Sequence, residues 1–136
     1  MKNNFSQQLL DWYYSRQRKM PWRGDTDVYK IWLSEVMLQQ TQVETVKPYY
    51  KRWLKKFPNT LAVANATEDE ILKQWEGLGY YRRAKNLYKT SKIIIKKYNG
   101  KIPNNFTEIK ELPGIGDYTA NILLALIYNH PHIGID

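Results

Sequence analysis

Apolar positions recur at helical spacing through almost the whole chain, and no stretch shows the alternation of a half-buried strand. Near the N-terminus Leu9, Leu10, Trp12 and Tyr13 follow a period near 3.6, with Ser6 placed as a cap and Pro21 as a stop. In YKIWLSEVMLQQ the residues Ile31, Trp32, Leu33, Val36, Met37 and Leu38 are apolar nearly all round, which predicts a buried helix capped by Asp25, Thr26 or Asp27. Thr41 and Glu44 have capping-box spacing and predict a helix that starts there, kinks near Pro48 and closes at Pro58. Thr67 and Glu70 repeat that spacing before ILKQW, and Gly77 and Gly79 supply the positive φ that ends such a helix. A long helix over YYRRAKNLYKTSKIIIKKY then runs to Asn99-Gly100. A short helix, FTEIKEL, leads into Pro113-Gly114-Ile115-Gly116 and a last apolar helix, TANILLALIY, with Asp117 as its cap. The pattern predicts an all-α domain of six or seven helices joined by short loops, without a repeat or a low-complexity tract.

A length of 136 residues suits one domain, and 43% hydrophobic residues is more than a disordered chain carries. Charge changes the picture more. The 21 Lys and Arg against 13 Asp and Glu leave a formal +8, which points to a polyanionic partner. Eight of these bases and no acid lie between Arg82 and Lys101. Contacts from that tract to phosphates would make binding steeply salt-dependent, with Arg82 the foremost candidate; a solvated helix face is the alternative for most of the lysines. The absence of cysteine excludes disulfides, thiolate zinc sites, iron–sulfur ligation and cysteine nucleophiles within these residues. His130 and His132 lack a third ligand at usable spacing, so they read as loop residues and no metal site is expected. The longest apolar run, Ile122 to Tyr128, is far below the roughly 18 residues of a membrane span. MKNNFSQQLLDWYY also has no continuous apolar segment of a secretory signal, so the expectation is a cytoplasmic protein.

The most informative stretch is LPGIGDYTA. Two helices joined by Pro-Gly-x-Gly bring backbone without Cβ atoms close to what lies outside and aim the unpaired N–H groups of a first helical turn outward, which suits a phosphate. A tight helix–helix turn is the other reading of the tetrapeptide. In context, Leu112-Pro113-Gly114-Ile115-Gly116 followed by Asp117-Tyr118-Thr119-Ala120 resembles the helix–hairpin–helix motif of DNA glycosylases of the endonuclease III superfamily. MPWR at Met20 to Arg23, IWLSEVMLQQTQVETV at Ile31 to Val46 and WEGLGYYRRAKNL at Trp75 to Leu87 resemble, in the same order, the adenine DNA glycosylase family. The resemblance covers nearly the whole chain. It implies a helix–hairpin–helix glycosylase fold: a six-helix barrel over residues 21–136 with the hairpin at 106–128, and an N-terminal helix over 1–20 that packs on a segment absent from this sequence. The implied activity is hydrolysis of the N-glycosidic bond of adenine mispaired with 8-oxoguanine or guanine in double-stranded DNA, by a monomer associated with the nucleoid.

Glu35 has Ile31, Trp32, Leu38 and Gln39 at helical neighbour positions, an environment that disfavours the ionised carboxyl and makes it an acid usable near pH 7. An exposed surface glutamate is the alternative. The resemblance makes Glu35 the group that protonates adenine N7. It makes Asp136, in Ile135-Asp136, the carboxylate that stabilises the oxocarbenium-like sugar. Tyr118 stands where strand-cutting members of the superfamily hold a Schiff-base lysine, which implies a monofunctional enzyme that uses water. Gln40 and Tyr80 would enter the base stack once the target nucleotide is extruded. Arg82, Gly114, Gly116 and Thr119 would contact DNA, while Arg18, Trp22, Arg23 and Leu38 would form the adenine pocket through stacking and donated hydrogen bonds. Family members carry a [4Fe–4S] cluster on four cysteines beyond this aspartate, so the chain reads as truncated at Asp136 and ligates no cofactor itself. A thymine mismatch glycosylase of the same fold and a non-catalytic DNA-binding remnant are the competing readings.

Overall fold

A computed structural model of the chain describes residues 4–17 and 27–129. Among the described residues the caps and apolar faces delimit eight helices and no strand. They are α1 (Asn4–Gln17), α2 (Val28–Leu38), α3 (Val43–Lys56), α4 (Thr60–Ala64), α5 (Glu68–Trp75), α6 (Tyr81–Lys97), α7 (Phe106–Lys110) and α8 (Asp117–Asn129).

Several caps form as their residue types dictate. Asp27 begins α2, its carboxylate accepting from the Lys30 N–H at 3.3 Å. At α5 both halves of the capping box are made: the Glu70 N–H donates to Thr67 Oγ1 at 3.2 Å, and the Thr67 N–H donates to Glu70 Oε1 at 2.9 Å. The Thr67 N–H is also the main reason the Glu70 carboxyl lies below its usual range.

Other expectations need correction. α1 begins at Asn4, so Ser6 lies inside the helix rather than at its cap. No capping box forms between Thr41 and Glu44: α3 starts after Gln42, Glu44 pairs with Lys47 at 2.8 Å, and the Thr41 hydroxyl accepts from Arg83 at 3.2 Å. α3 continues through Pro48 as one helix. The five-residue α4, too short to show a period, was not anticipated; Asn59 caps it by accepting from the Ala62 N–H at 2.9 Å. At α8 the Gly116 carbonyl accepts the first helical bond, from the Ala120 N–H at 2.9 Å, so Asp117 is the first helical residue and not the cap.

α2 is buried on every side, as its composition requires, and packs against α3, α6 and α8. α8 contributes a continuous buried run from Ile122 to Ile127 and is flanked by α1 and α7. Leu10 and Tyr13 of α1 are buried in that contact. On the far side of α2, Trp53 packs edge-on against Phe57 and Trp75, with centroids at 5.0 and 5.7 Å. Its Nε1–H donates to the Tyr29 hydroxyl at 2.9 Å, which in turn donates to the Phe57 carbonyl at 2.7 Å. No described helix is long and apolar enough to cross a membrane.

Candidate functional site

The last turns of α2 lie against the first turn of α8, and this brings together residues some eighty positions apart in sequence. Between them is an open cavity of about 370 Å³, lined by Glu35, Leu38 and Gln39 from one side and by Gly116, Asp117, Tyr118 and Thr119 from the other. Its volume falls in the roughly 300–1,000 Å³ range of small-molecule sites. Glu35 is only 4% exposed, although it is a carboxylic acid on a mostly apolar helix. A carboxyl so placed is costly unless it has partners or a task. Tyr118 is 40% exposed and meets Trp12 of α1 edge-on at 5.9 Å. Asp117 is paired with Lys110 at 2.8 Å. The Thr119 side chain is buried and lines the cavity. A larger cavity, about 830 Å³, lies at the opposite end of α2 beside α4 and the end of α6, and none of the predicted site residues lines it.

The hairpin is docked on α6 from beneath. Thr90 Oγ1 donates to the Pro113 carbonyl at 2.8 Å. Gly114 has φ +80°, and a Cβ there would stand 2.8 Å from Asn86 Cβ, so packing as well as backbone conformation requires glycine. Gly116 differs: a Cβ there would meet nothing within 4 Å. Open space at the start of α8 therefore lies at Gly116, just before the first helical turn.

Two exposed residues stand in the left-handed region, Gln40 with φ 59° and Tyr80 with φ 51° and ψ 57°. Tyr80 is 60% exposed and caps α6, and Arg82 is exposed next to it. The loop before Tyr80 is tied down by Trp75, whose Nε1–H donates to the Gly79 carbonyl at 2.9 Å.

Arg83, rather than the expected Arg82, makes many contacts in this region. Its Nη1 donates to the carbonyls of Val36, Met37 and Gln39 at 3.0, 2.8 and 2.6 Å, and its Nη2 to Thr41 Oγ1 and the Gly79 carbonyl, both at 3.2 Å. The guanidinium carbon lies 5.2 Å from the Trp75 ring centroid and 5.3 Å from that of Tyr80. Burial holds this guanidinium below its usual pKa. A signal was present: Arg83 precedes the buried Leu87 by four residues and the buried Thr90 by seven, which puts it on the inner face of α6.

The structure thus gathers Glu35, Leu38, Gly116, Tyr118 and Thr119 around one cavity, with Gln40 next in sequence to the cavity-lining Gln39 and the Tyr80 loop tied to Gln39 through Arg83. Arg18, Trp22, Arg23, Asp136, His130 and His132 lie outside the described residues. Among the described residues no group of three or more His, Asp or Glu is placed to hold a metal ion. A thiolate-held cluster finds no ligand in a sequence without cysteine.

Residues 33–133 match the family described as HhH-GPD superfamily base excision DNA repair protein. The chain is 50% identical over 126 residues to the adenine DNA glycosylase of Buchnera aphidicola subsp. Baizongia pistaciae (strain Bp), covering 92% of this chain and 36% of that protein. It is 37% identical over 133 residues to the adenine DNA glycosylase of Homo sapiens, covering 91% of this chain and 24% of that one. The chain therefore spans about a quarter to a third of the length of these curated relatives. In structure it is similar to a thermostable thymine-DNA glycosylase, with TM-score 0.75 and 28% identity over 92% of this chain and 58% of that one. It also shares its fold with endonuclease III in a trapped covalent DNA intermediate, with TM-score 0.69 and 23% identity, covering 100% of this chain and 65% of that one. The family pattern runs from within α2 to beyond α8, over the residues that build the cavity and the hairpin: the chain belongs to the HhH-GPD superfamily of base excision DNA repair proteins.

Proposed function

We propose that this chain carries the chemistry of an adenine DNA glycosylase, hydrolysing the N-glycosidic bond of adenine mispaired with 8-oxoguanine or guanine in duplex DNA and leaving the strand uncut. The observation that carries this reading is the buried Glu35 carboxyl lining an open cavity whose other wall is the hairpin end of α8. The proposed role uses this carboxyl in its protonated form, the form able to donate.

In this reading the open start of α8 at Gly116 seats a backbone phosphate, and Tyr80 and Gln40 fill the stack around the base opposite the extruded adenine. Glu35 donates its proton to adenine N7. The C1′–N9 bond then breaks with its electron pair going to the base, so neutral adenine leaves and the sugar becomes an oxocarbenium-like cation. Water adds to C1′ and its spare proton returns to the Glu35 carboxylate. Asp136, by its resemblance to the family pattern, supplies the negative charge that steadies the cation. Tyr118 has no amine with which to capture the sugar, so no lyase step follows.

The test is single-turnover release of adenine from a duplex with one A opposite 8-oxoguanine, at low salt. Glu35→Gln is expected to slow release by about 10²-fold or more, the usual scale of a lost general acid, while duplex affinity stays within about twofold. Loss of binding in that variant would make Glu35 structural. The likeness to a thymine-DNA glycosylase supports a second reading, release of mismatched thymine, and the same assay on a T·G duplex separates the two. Tight binding with neither base released would leave a DNA-recognition module.

A further inference from the structure

We infer that Arg83 is a positioning residue that sets the two stack-entering side chains, Gln40 and Tyr80, at a fixed separation from each other and from the helix bearing Glu35. The inference rests on the proposed role of those two residues and adds a part that neither the motifs nor the charge count assigns.

Gln40 and Tyr80 share an uncommon backbone state. They are two of three non-glycine residues with positive φ among the described residues, and they stand on loops forty residues apart. A left-handed non-glycine residue is held there only by surroundings that over-determine it. One guanidinium does this for both loops. It binds the carbonyl immediately before Gln40, at Gln39, and the carbonyl immediately before Tyr80, at Gly79. It also holds the final carbonyls of α2 at Val36 and Met37, one and two residues beyond Glu35. The exposed ends of both loops are thereby referred to the helix that carries the acid. The Tyr80 ring is itself packed on the guanidinium at 5.3 Å. Arginine suits this task because its planar fork serves several acceptors at once; lysine keeps the charge but is a compact point donor that cannot span both loops.

The conservative variant Arg83→Lys tests the strut without removing charge. In the free protein, amide hydrogen exchange at residues 39–41 and 79–81 should accelerate together by about tenfold or more, with exchange elsewhere in α2 and α6 within about twofold. Should Arg83→Lys fail to fold, Thr41→Val removes one acceptor on the first loop and should still speed exchange at 79–81 across the gap. Unchanged exchange, or a change confined to the loop carrying the substitution, overturns the inference. The second readout is fluorescence of 2-aminopurine placed beside the mismatch, which reports unstacking when protein binds. Arg83→Lys should lose most of the rise, and adding it to the Gln40→Ala/Tyr80→Ala double variant should cost no more than that double variant alone, because Arg83 acts through those two side chains. Additive losses, or a full rise in Arg83→Lys, overturn the inference while leaving the glycosylase reading intact. No rise in the unmodified protein would instead remove the stack-entering role of Gln40 and Tyr80 and this inference with it.

Discussion

Gly114 and Gly116 look alike in the sequence and carry different burdens in the fold. Gly114 combines positive φ with backbone pressed against Asn86, whereas Gly116 has open space where a side chain would begin. Gly114→Ala should therefore destabilise the protein by about 1–3 kcal/mol, as expected for a non-glycine residue forced into that region. Gly116→Ala should cost less than about 1 kcal/mol, the difference between glycine and alanine at an N-cap, yet weaken duplex binding by obstructing a phosphate. Denaturant midpoints and duplex affinities measured on both variants check this, and a Gly116→Ala protein that binds DNA normally would place the phosphate contact elsewhere. Glu35 shows the same limit of local reading. Its apolar neighbours announced burial, but the cavity it lines needed residues 116–119 brought in from the other end of the chain.

Among elements, α5 and α3 had equal capping signals and only α5 obeyed. Thr67 and Glu70 have no stronger claimant, so their box closes. Thr41 is engaged by Arg83, forty-two residues away, and the cap of α3 passes to Gln42. The α5 box gives a pH prediction. The folded Glu70 carboxyl is below its usual value, so the unfolded chain binds the proton more tightly. Its stabilising contribution is then complete above the unfolded carboxylate pKa and is lost as pH falls through the lowered folded value. Thermal melts from pH 2 to pH 7 should find the unmodified protein and Glu70→Gln converging at the acid end, with the unmodified protein the more stable above the carboxylate range. A constant gap between the two curves would assign the effect to packing instead of charge.

Across the whole molecule, the basic tract except Lys101 lies on one helix whose ends face different surroundings. α6 has 17 residues and spans about 25 Å. Arg82 lies at the end beside the candidate site, while the residues just past Lys97 line the larger cavity at the start of α2. Lys92, between them, is occupied in structure: its Nζ donates to the Ala64 carbonyl at 3.1 Å and lies 4.8 Å from the Tyr88 ring centroid. Formal charge therefore overstates the phosphate contacts. Arg82→Ala should reduce the slope of log affinity against log salt by about 1, and Lys97→Ala should leave it unchanged. Equal effects in a salt titration of both variants would mean that DNA follows the full length of α6.

The sequence by itself determined the all-helical class, the existence and order of the long helices and the burial of α2. Each of these rests on periodicity or on contacts within a few residues, and local chemistry is enough to specify them. Tertiary structure alone decided which capping signal was honoured, that Gly114 faces inward and Gly116 outward, that Thr119 lines the cavity, and that Arg83 rather than Arg82 ties the two exposed loops together. Those outcomes depend on partners tens of residues distant competing for the same donors and the same space, a competition that local spacing does not record.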